Sequence, residues 1–119
     1  MPATVDVAIV GGGPAGLALA LGLARRGRSV AVLERQPGPR PGPRVAFLLQ
    51  PNGLEALAAL DVLDAVRAQG VAHATVTSCA PGDRPLAAAD YRLLHHPFPY
   101  ALAVPPSTLQ TALRDALQP

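Results

Sequence analysis

Residues 5–34 read VDVAIVGGGPAGLALALGLARRGRSVAVLE, and this stretch decides the fold. The apolar, β-branched run over 5–10 predicts a strand that is covered on both faces. A helix is predicted over 14–26, because an apolar stripe repeats at helical spacing and a glycine follows where the helix should end. A second buried strand is predicted over 29–33. This order of elements indicates an α/β fold built on a Rossmann-like βαβ unit.

The turn between the first strand and the helix carries the G-x-G-x-x-G spacing at Gly11, Gly13 and Gly16. Gly11 permits the tight turn, Gly13 leaves room for a pyrophosphate against the backbone, and Gly16 lets the helix lie close to the strand. Glu34 follows the second strand, where a carboxylate accepts hydrogen bonds from the ribose of an adenine dinucleotide. Unpaired N–H groups at the helix N-terminus suit the phosphates. Together these features predict a dinucleotide-binding site.

The segments VAIVGGGPAGLALALGLARRG (7–27) and VAVLERQ (30–36) carry a family resemblance. They resemble the FAD-binding start of the flavoprotein monooxygenases of the para-hydroxybenzoate hydroxylase type. The resemblance implies that Glu34 holds the ribose of FAD, that Arg35 lies near the adenosine, and that Arg44 lies near the flavin and its phosphates. The expected cofactor-binding residues are Gly11, Gly13, Gly16, Glu34, Arg35 and Arg44.

The resemblance also implies what the complete enzyme does. It would use NAD(P)H to reduce FAD and would hydroxylate a small aromatic or polyketide-like substrate. The likeness extends over nearly the whole chain but covers only the first quarter to third of a family member. We therefore expect residues 1–119 to be the N-terminal part of an FAD-binding domain, a truncated fragment that is inactive alone and self-associates through an open strand edge.

Two alternatives remain open at this stage. The first alternative to the flavoprotein is an NAD-binding module of an unrelated dehydrogenase, which would share the glycines and Glu34. The second is a non-catalytic, degenerate remnant without a ligand. One departure from the family favours the remnant: the family has an arginine just before the last helix, and this chain has Pro106 there. A comparison of FAD binding with nicotinamide-nucleotide binding would separate the first alternative from the flavoprotein.

The remainder of the chain predicts further helices and a hairpin. Residues 52–55 have the N-x-x-E form of a capping box, and a break is expected at Asp61 before a short helix that ends near Gly70. A β-hairpin is predicted over 71–94 around the turn Pro-Gly-Asp. A last helix is predicted over 107–118 with an S-x-x-Q capping box. By resemblance, residues 70–103 would contribute strands to a substrate-side sheet.

Several polar side chains in that region could be mistaken for a site. His73, His95, His96 and Tyr100 follow no metal-ligand spacing and have no neighbouring carboxylate pair. We therefore predict surface or packing roles for them. No catalytic residue and no metal ligand is predicted.

Composition bounds the remaining function classes. A chain of 119 residues with 50% hydrophobic residues suits one folded domain rather than a disordered segment. The net charge of +2 is spread along the sequence, which argues against nucleic acid as a partner, and no apolar run is long enough for a membrane span. The single cysteine, Cys79, fits a reducing cytoplasm and is expected to be buried by packing.

Overall fold

The structure is a computed structural model, and it describes residues 4–38 and 45–118. A strand, a helix and a strand open the described chain, two further helices lie between the third and fourth strands, and a 3-10 turn at Tyr91–Leu93 precedes the last strand. In chain order the elements are β1 (Val7–Val10), α1 (Pro14–Ala24), β2 (Val30–Leu33), β3 (Phe47–Leu49), α2 (Pro51–Ala59), α3 (Leu63–Arg67), β4 (Val71–His73), β5 (Thr75–Ala80), β6 (Arg84–Asp90), β7 (Ala101–Val104) and α4 (Pro106–Asp115).

The described strands form three small sheets. β1 and β2 pair in parallel, with Val7 opposite Val30 and Val10 opposite Leu33. β7 lies between β3 and β4 and is antiparallel to both, while β5 and β6 form an antiparallel hairpin. The parallel pair with α1 between its strands is the predicted βαβ unit. The α/β, Rossmann-like fold class is therefore confirmed.

The start of the parallel pair is fastened by Asp6 and Ser29. The Asp6 carboxylate accepts hydrogen bonds from the Ser29 N–H at 2.8 Å and from the Ser29 hydroxyl at 2.9 Å. The pKa of Asp6 lies below its ordinary value, mainly because its carboxylate accepts the Ser29 N–H and secondly because it accepts the Ser29 hydroxyl. The N–H groups of Asp6 and Val7 in turn donate to the Ser29 carbonyl. These reciprocal bonds set the parallel register at the end of the sheet that is remote from the glycines.

The main core lies between the helices and the middle strand β7. Helices α1, α2, α3 and α4 all contribute leucine or valine side chains to it, and β7 is buried along most of its length. The fully or nearly fully buried members are Leu17, Leu21, Leu54, Leu57, Val62, Leu63, Val66, Leu102, Val104, Leu109 and Leu113. Strands β3 and β7 were not predicted, because three or four apolar residues without clear alternation give too weak a pattern.

The prediction that the first strand would be covered on both faces is wrong for the part of the chain that is described. Ile9 is buried, but Val10 is 86% exposed and its neighbour Leu33 on β2 is 58% exposed. α1 packs on one side of the β1–β2 pair, and no described element covers the other side. The pair therefore presents an open apolar face.

Both predicted capping boxes are wrong. α2 begins at Pro51 and α4 begins at Pro106, so Asn52 and Ser107 lie inside the first turn instead of preceding it, and neither helix has a side-chain cap. Proline at the first helical position explains the shift, because its φ is already helical and it has no N–H to satisfy. The N-caps are Gln50 and Pro105, so each helix starts two residues earlier than its capping pattern predicts.

The break between α2 and α3 is confirmed at Asp61, which has a φ of +48°. The left-handed conformation is one that aspartate tolerates better than most residues. The Asp61 carboxylate also accepts a hydrogen bond from Arg25 at the end of α1, at 2.5 Å. The residue at the break after α2 is thus bonded to the end of α1.

The predicted hairpin is confirmed in its turn but not in its full length. Gly82 and Asp83 have φ values of +80° and +57° between β5 and β6. β6 ends at Asp90, four residues before the predicted end at Leu94, because the Asp90 side chain accepts the Arg92 N–H and starts a 3-10 turn. Cys79 is exposed, so the prediction of burial is wrong: no described element covers this two-stranded hairpin at that position.

The packing of α1 against β1 leads to a stability prediction for Gly16. A Cβ at this position would lie 2.1 Å from the carbonyl oxygen of Gly11, which is far inside van der Waals contact with backbone. We expect Gly16→Ala to lower the free energy of unfolding by about 1–3 kcal/mol, as overpacking does. Urea denaturation followed by circular dichroism measures the change.

Gly53 provides the matched control for that experiment. It also lies in the first turn of a helix, but a Cβ there would meet nothing within 4 Å. Gly53→Ala should raise the free energy of unfolding by about 0.4–1 kcal/mol, because alanine has less conformational freedom in the unfolded chain. Equal stability of the two variants would contradict the close approach at Gly16.

Candidate functional site

The turn from β1 to α1 has the conformation that its glycines predict. Gly11 has a φ of +110°, which side chains rarely adopt, and its N–H donates to the Leu33 carbonyl at 2.8 Å. Gly13 is the N-cap of α1 with extended backbone, and Pro14 follows at the first helical position. We call residues 11–16 the glycine loop. The loop leaves the strand and enters the helix within three residues.

The glycine loop has free N–H donors and space beside them. The N–H groups of Gly13, Ala15 and Gly16 have no hydrogen-bond partner within the described ranges, as expected for the start of a helix. A Cβ added to Gly13 would meet nothing within 4 Å. An anion could therefore approach the backbone there, where the helix N-terminus adds a partial positive charge.

Glu34 is connected to the glycine loop through a residue that the sequence pattern does not single out. Its Oε2 accepts the Gly12 N–H at 2.7 Å, and its Oε1 accepts the Gln36 N–H at 2.8 Å. The pKa of Glu34 lies below its ordinary value because of these two bonds, of which the one from Gln36 has the larger effect. A Cβ at Gly12 would lie 2.9 Å from the Glu34 Cβ. Gly12 is therefore a third position in the loop that requires glycine.

Gln110 reaches the same residue from the last helix. Its Nε2 donates to the Gly12 carbonyl at 2.6 Å, across 98 positions of sequence. A cleft of about 200 Å³ opens beside this contact and is lined by Gly13, Glu34, Gln36, Gly38 and Gln110. Sequence reasoning assigned Gln110 to a helix cap and so missed it. The run of three glycines is the one signal that could have pointed to Gly12.

The structure brings four of the six predicted site residues together. Gly11, Gly13 and Gly16 form the loop, and Glu34 lies against it. Arg35 is exposed and follows Glu34 directly, and its charge contributes to the lowered pKa of that glutamate. Arg44 lies outside the described residues.

None of the three histidines nor Tyr100 lines this cleft: His73 and His95 are exposed, whereas His96 and Tyr100 make contacts that suit packing. His96 Nε2 is 3.3 Å from the Glu55 carboxylate, and its Nδ1 accepts the Phe98 N–H. The Arg67 guanidinium lies over the Tyr100 ring at 5.6 Å. Within the described ranges there is no group of three or more His, Cys, Asp or Glu side chains placed to hold a metal ion. None of the helices in those ranges has the length and apolar character that crossing a bilayer requires.

Comparison with known proteins places the chain in an FAD-binding family. Residues 4–119 match the family model described as FAD binding domain. The chain is 39% identical over 113 residues to 6-methylpretetramide 4-monooxygenase of Streptomyces rimosus, and the match covers 95% of this chain and 27% of that protein. The resemblance to the FAD-binding part of flavoprotein monooxygenases, inferred from residues 7–36, is therefore confirmed.

Two solved structures that resemble this chain are also monooxygenases. The p-nitrophenol 4-monooxygenase PnpA of Pseudomonas putida DLL-E4 matches with a TM-score of 0.88 and 29% identity, over 98% of this chain and 30% of that one. The flavin-dependent monooxygenase PieE, solved in complex with FAD and substrate, matches with a TM-score of 0.77 and 28% identity, over 98% of this chain and 22% of that one. The chain thus spans less than a third of the length of each of these relatives.

The two backbone bonds to Glu34 predict an acid-dependent stability. The folded-state pKa of Glu34 lies below the unfolded value, so its contribution is complete above the ordinary glutamate pKa of about 4.3 and is lost as the pH falls through the folded pKa. Glu34→Gln should remove this part of the acid dependence. Urea midpoints of the parent chain and of Glu34→Gln, measured from neutral pH downward, test this prediction. If the midpoints of the two proteins fall with pH in the same way, the carboxylate does not anchor the loop.

Proposed function

The chain belongs to the FAD binding domain family, and on that basis we propose that it is the FAD-binding portion of an NAD(P)H-using monooxygenase that hydroxylates a small aromatic or polyketide-like substrate. The observation that carries the proposal is the glycine loop with free N–H donors and an ionised Glu34 beside the same cleft. The names of the relatives support the reaction class, since each matched protein named above is a monooxygenase.

The described residues fit the two polar parts of FAD. The pyrophosphate would lie at the start of α1, where the N–H groups of Ala15 and Gly16 are unpaired and the position of Gly13 is open. The ribose would bind Glu34, whose carboxylate has about four lone-pair sites, of which two are used by Gly12 and Gln36. When bound, FAD supplies the redox chemistry, and the chain supplies binding and orientation.

The two arginines complete the proposed site. Arg35 is exposed beside Glu34 and can approach the adenosine part of the cofactor. Arg44 keeps the role that the family resemblance gives it, near the flavin and its phosphates. A guanidinium suits phosphate oxygens because it donates two parallel hydrogen bonds. The proposed cofactor-binding set is Gly11, Gly13, Gly16, Glu34, Arg35 and Arg44.

The remaining partners follow from the proposed reaction. NAD(P)H would serve as reductant and a small aromatic or polyketide-like molecule as substrate, with residues 70–103 contributing to a substrate-side sheet. We propose a reducing cytoplasm as the location, in keeping with one exposed thiol, that of Cys79. We infer neither nucleic acid nor a membrane as a partner.

Gly13 allows FAD binding to be tested separately from folding. Its backbone is extended, with φ −75° and ψ 176°, and a side chain would enter open space. Gly13→Val should therefore leave the far-ultraviolet spectrum and the urea midpoint nearly unchanged. The same side chain would occupy the place of the pyrophosphate, so FAD binding, measured by isothermal titration, should fall below detection.

Two comparisons make the Gly13 result decisive. Gly53→Ala, remote from the cleft, should bind FAD like the parent chain. NADH titrated into the parent chain should bind at least tenfold more weakly than FAD, whereas the reverse order would favour a dehydrogenase module. Full FAD affinity in Gly13→Val would refute the phosphate site.

The open edge of β1 leads to a prediction about association. Within the described ranges β1 pairs with β2 alone, and its end carries the exposed apolar side chain of Val10. An uncharged, unpaired strand edge is a template for another chain. We expect the 119-residue chain to self-associate at micromolar concentration and to lack hydroxylase activity, and light scattering reports its mass.

A charge at the edge should interrupt this association. Val10→Lys should shift the chain toward the monomer, because lysine on an edge strand opposes pairing with a second strand. Leu93→Lys is the matched control, since Leu93 is 79% exposed but lies outside the strands. A monodisperse monomer for the parent chain, or an equal effect of both lysines, would contradict association through β1.

A further inference from the structure

We propose that Gln110 is a positioning residue for the glycine loop: together with Glu34 it holds the two peptide groups that flank Gly12 and so aims the Gly13 N–H before the cofactor binds. This inference rests on the proposed FAD-binding function and deepens it. It concerns a residue that acts through the backbone of the loop, and it requires no contact between Gln110 and FAD.

The geometry consists of two hydrogen bonds on opposite sides of one Cα atom. Glu34 accepts the Gly12 N–H, which belongs to the peptide between Gly11 and Gly12, at 2.7 Å. Gln110 donates to the Gly12 carbonyl, which belongs to the peptide between Gly12 and Gly13, at 2.6 Å. Because peptides are planar, the only soft torsions between these two groups are φ and ψ of Gly12. The two side chains therefore restrain both torsions.

Glycine makes such restraint necessary. A residue without Cβ can adopt both signs of φ at little cost, so three consecutive glycines leave the loop many conformations. The other backbone hydrogen bonds of the loop act on the residues on either side of Gly12. Gly11 is bonded to Leu33, and Gly13 accepts the Leu17 N–H. Within the described ranges, Glu34 and Gln110 make the hydrogen bonds that act on Gly12 between them.

The bond from Gln110 also sets the direction of a donor. In a trans peptide the carbonyl and the following N–H point to opposite sides, so holding the Gly12 carbonyl toward α4 directs the Gly13 N–H away from it. That N–H has no partner within the described ranges. Gln110 thus pre-orients one of the donors that the phosphate site would use, and loss of this order would lower affinity through the cost of ordering the loop on binding.

The chemistry of the site explains why an amide suits this position. The contact needs a donor toward the Gly12 carbonyl, and the same cleft contains the ionised Glu34 carboxylate and must accept an anion. A carboxylate in place of the amide would offer no donor and would add a like charge to the cleft. Its protonated form, however, has an O–H that can replace the amide N–H.

The difference between an ionised and a protonated carboxyl group at position 110 provides a test that a merely structural role would not pass. Gln110→Ala should weaken FAD binding about tenfold at neutral pH, the scale of one hydrogen bond plus loop ordering. Gln110→Glu should bind as weakly at about pH 7.5 but recover most of the affinity near pH 5, because a glutamate beside a second carboxylate takes up a proton above its ordinary pKa of about 4.3. The parent chain should show no such recovery.

Thr111→Ala is the matched control, because Thr111 is the exposed neighbour of Gln110 on α4. It should reproduce the FAD affinity and the pH profile of the parent chain. Hydrogen exchange of peptides covering residues 11–16, measured without FAD, should be faster in Gln110→Ala and unchanged in Thr111→Ala. Circular dichroism of each variant establishes that it is folded. The acid recovery of Gln110→Glu compares one protein with itself at two pH values, so it does not depend on differences in folding between variants.

The outcomes separate this inference from the proposed function. If the parent chain binds FAD and the Gln110 variants match it in affinity, pH profile and exchange, the positioning role is overturned. If the parent chain binds no FAD, the proposed function fails, and the exchange measurement still decides whether Gln110 orders the loop. Faster loop exchange together with acid recovery in Gln110→Glu establishes the role.

Discussion

The close approach of α1 to the end of β1 is the constraint on which the rest of the site depends. The carbonyl of Gly11 occupies the space that a side chain at position 16 would need, so the helix can start directly beside the strand. This placement brings the free N–H groups of the first turn close to Glu34, which directly follows the neighbouring strand β2. Any wider spacing would separate the phosphate donors from the carboxylate.

The core makes the distant members of the site one rigid assembly. Leu17 and Leu21 of α1 pack in the same cluster as Leu109 and Leu113 of α4, and all four are buried. Because closely packed interiors change shape little, the hydrogen bond from Gln110 to the glycine loop is held by hydrophobic contacts on the other faces of the two helices. The polar contact is thus a consequence of apolar packing, which is why a residue so far along the chain can act on the loop.

Apolar surface is distributed unevenly over the two sides of the β1–β2 pair. One side of the β1–β2 pair packs on helices, while Val10 and Leu33 on the other side are largely exposed. The relatives that share this fold are more than three times as long as the part that matches. The cleft lies elsewhere, between the start of α1, the residues that follow β2, and Gln110 of α4.

The sequence by itself determined the βαβ unit, the glycine loop and the position of Glu34, because these depend on local patterns: buried runs, glycine spacing and a fixed distance to the acid. It did not determine the helix starts at Pro51 and Pro106, where two local signals competed and proline prevailed. Only the tertiary structure decided that Glu34 and Gln110 meet at Gly12, because a hydrogen bond across 98 positions leaves no periodic trace in the sequence. The physical reason is that such contacts are set by the packing of whole helices.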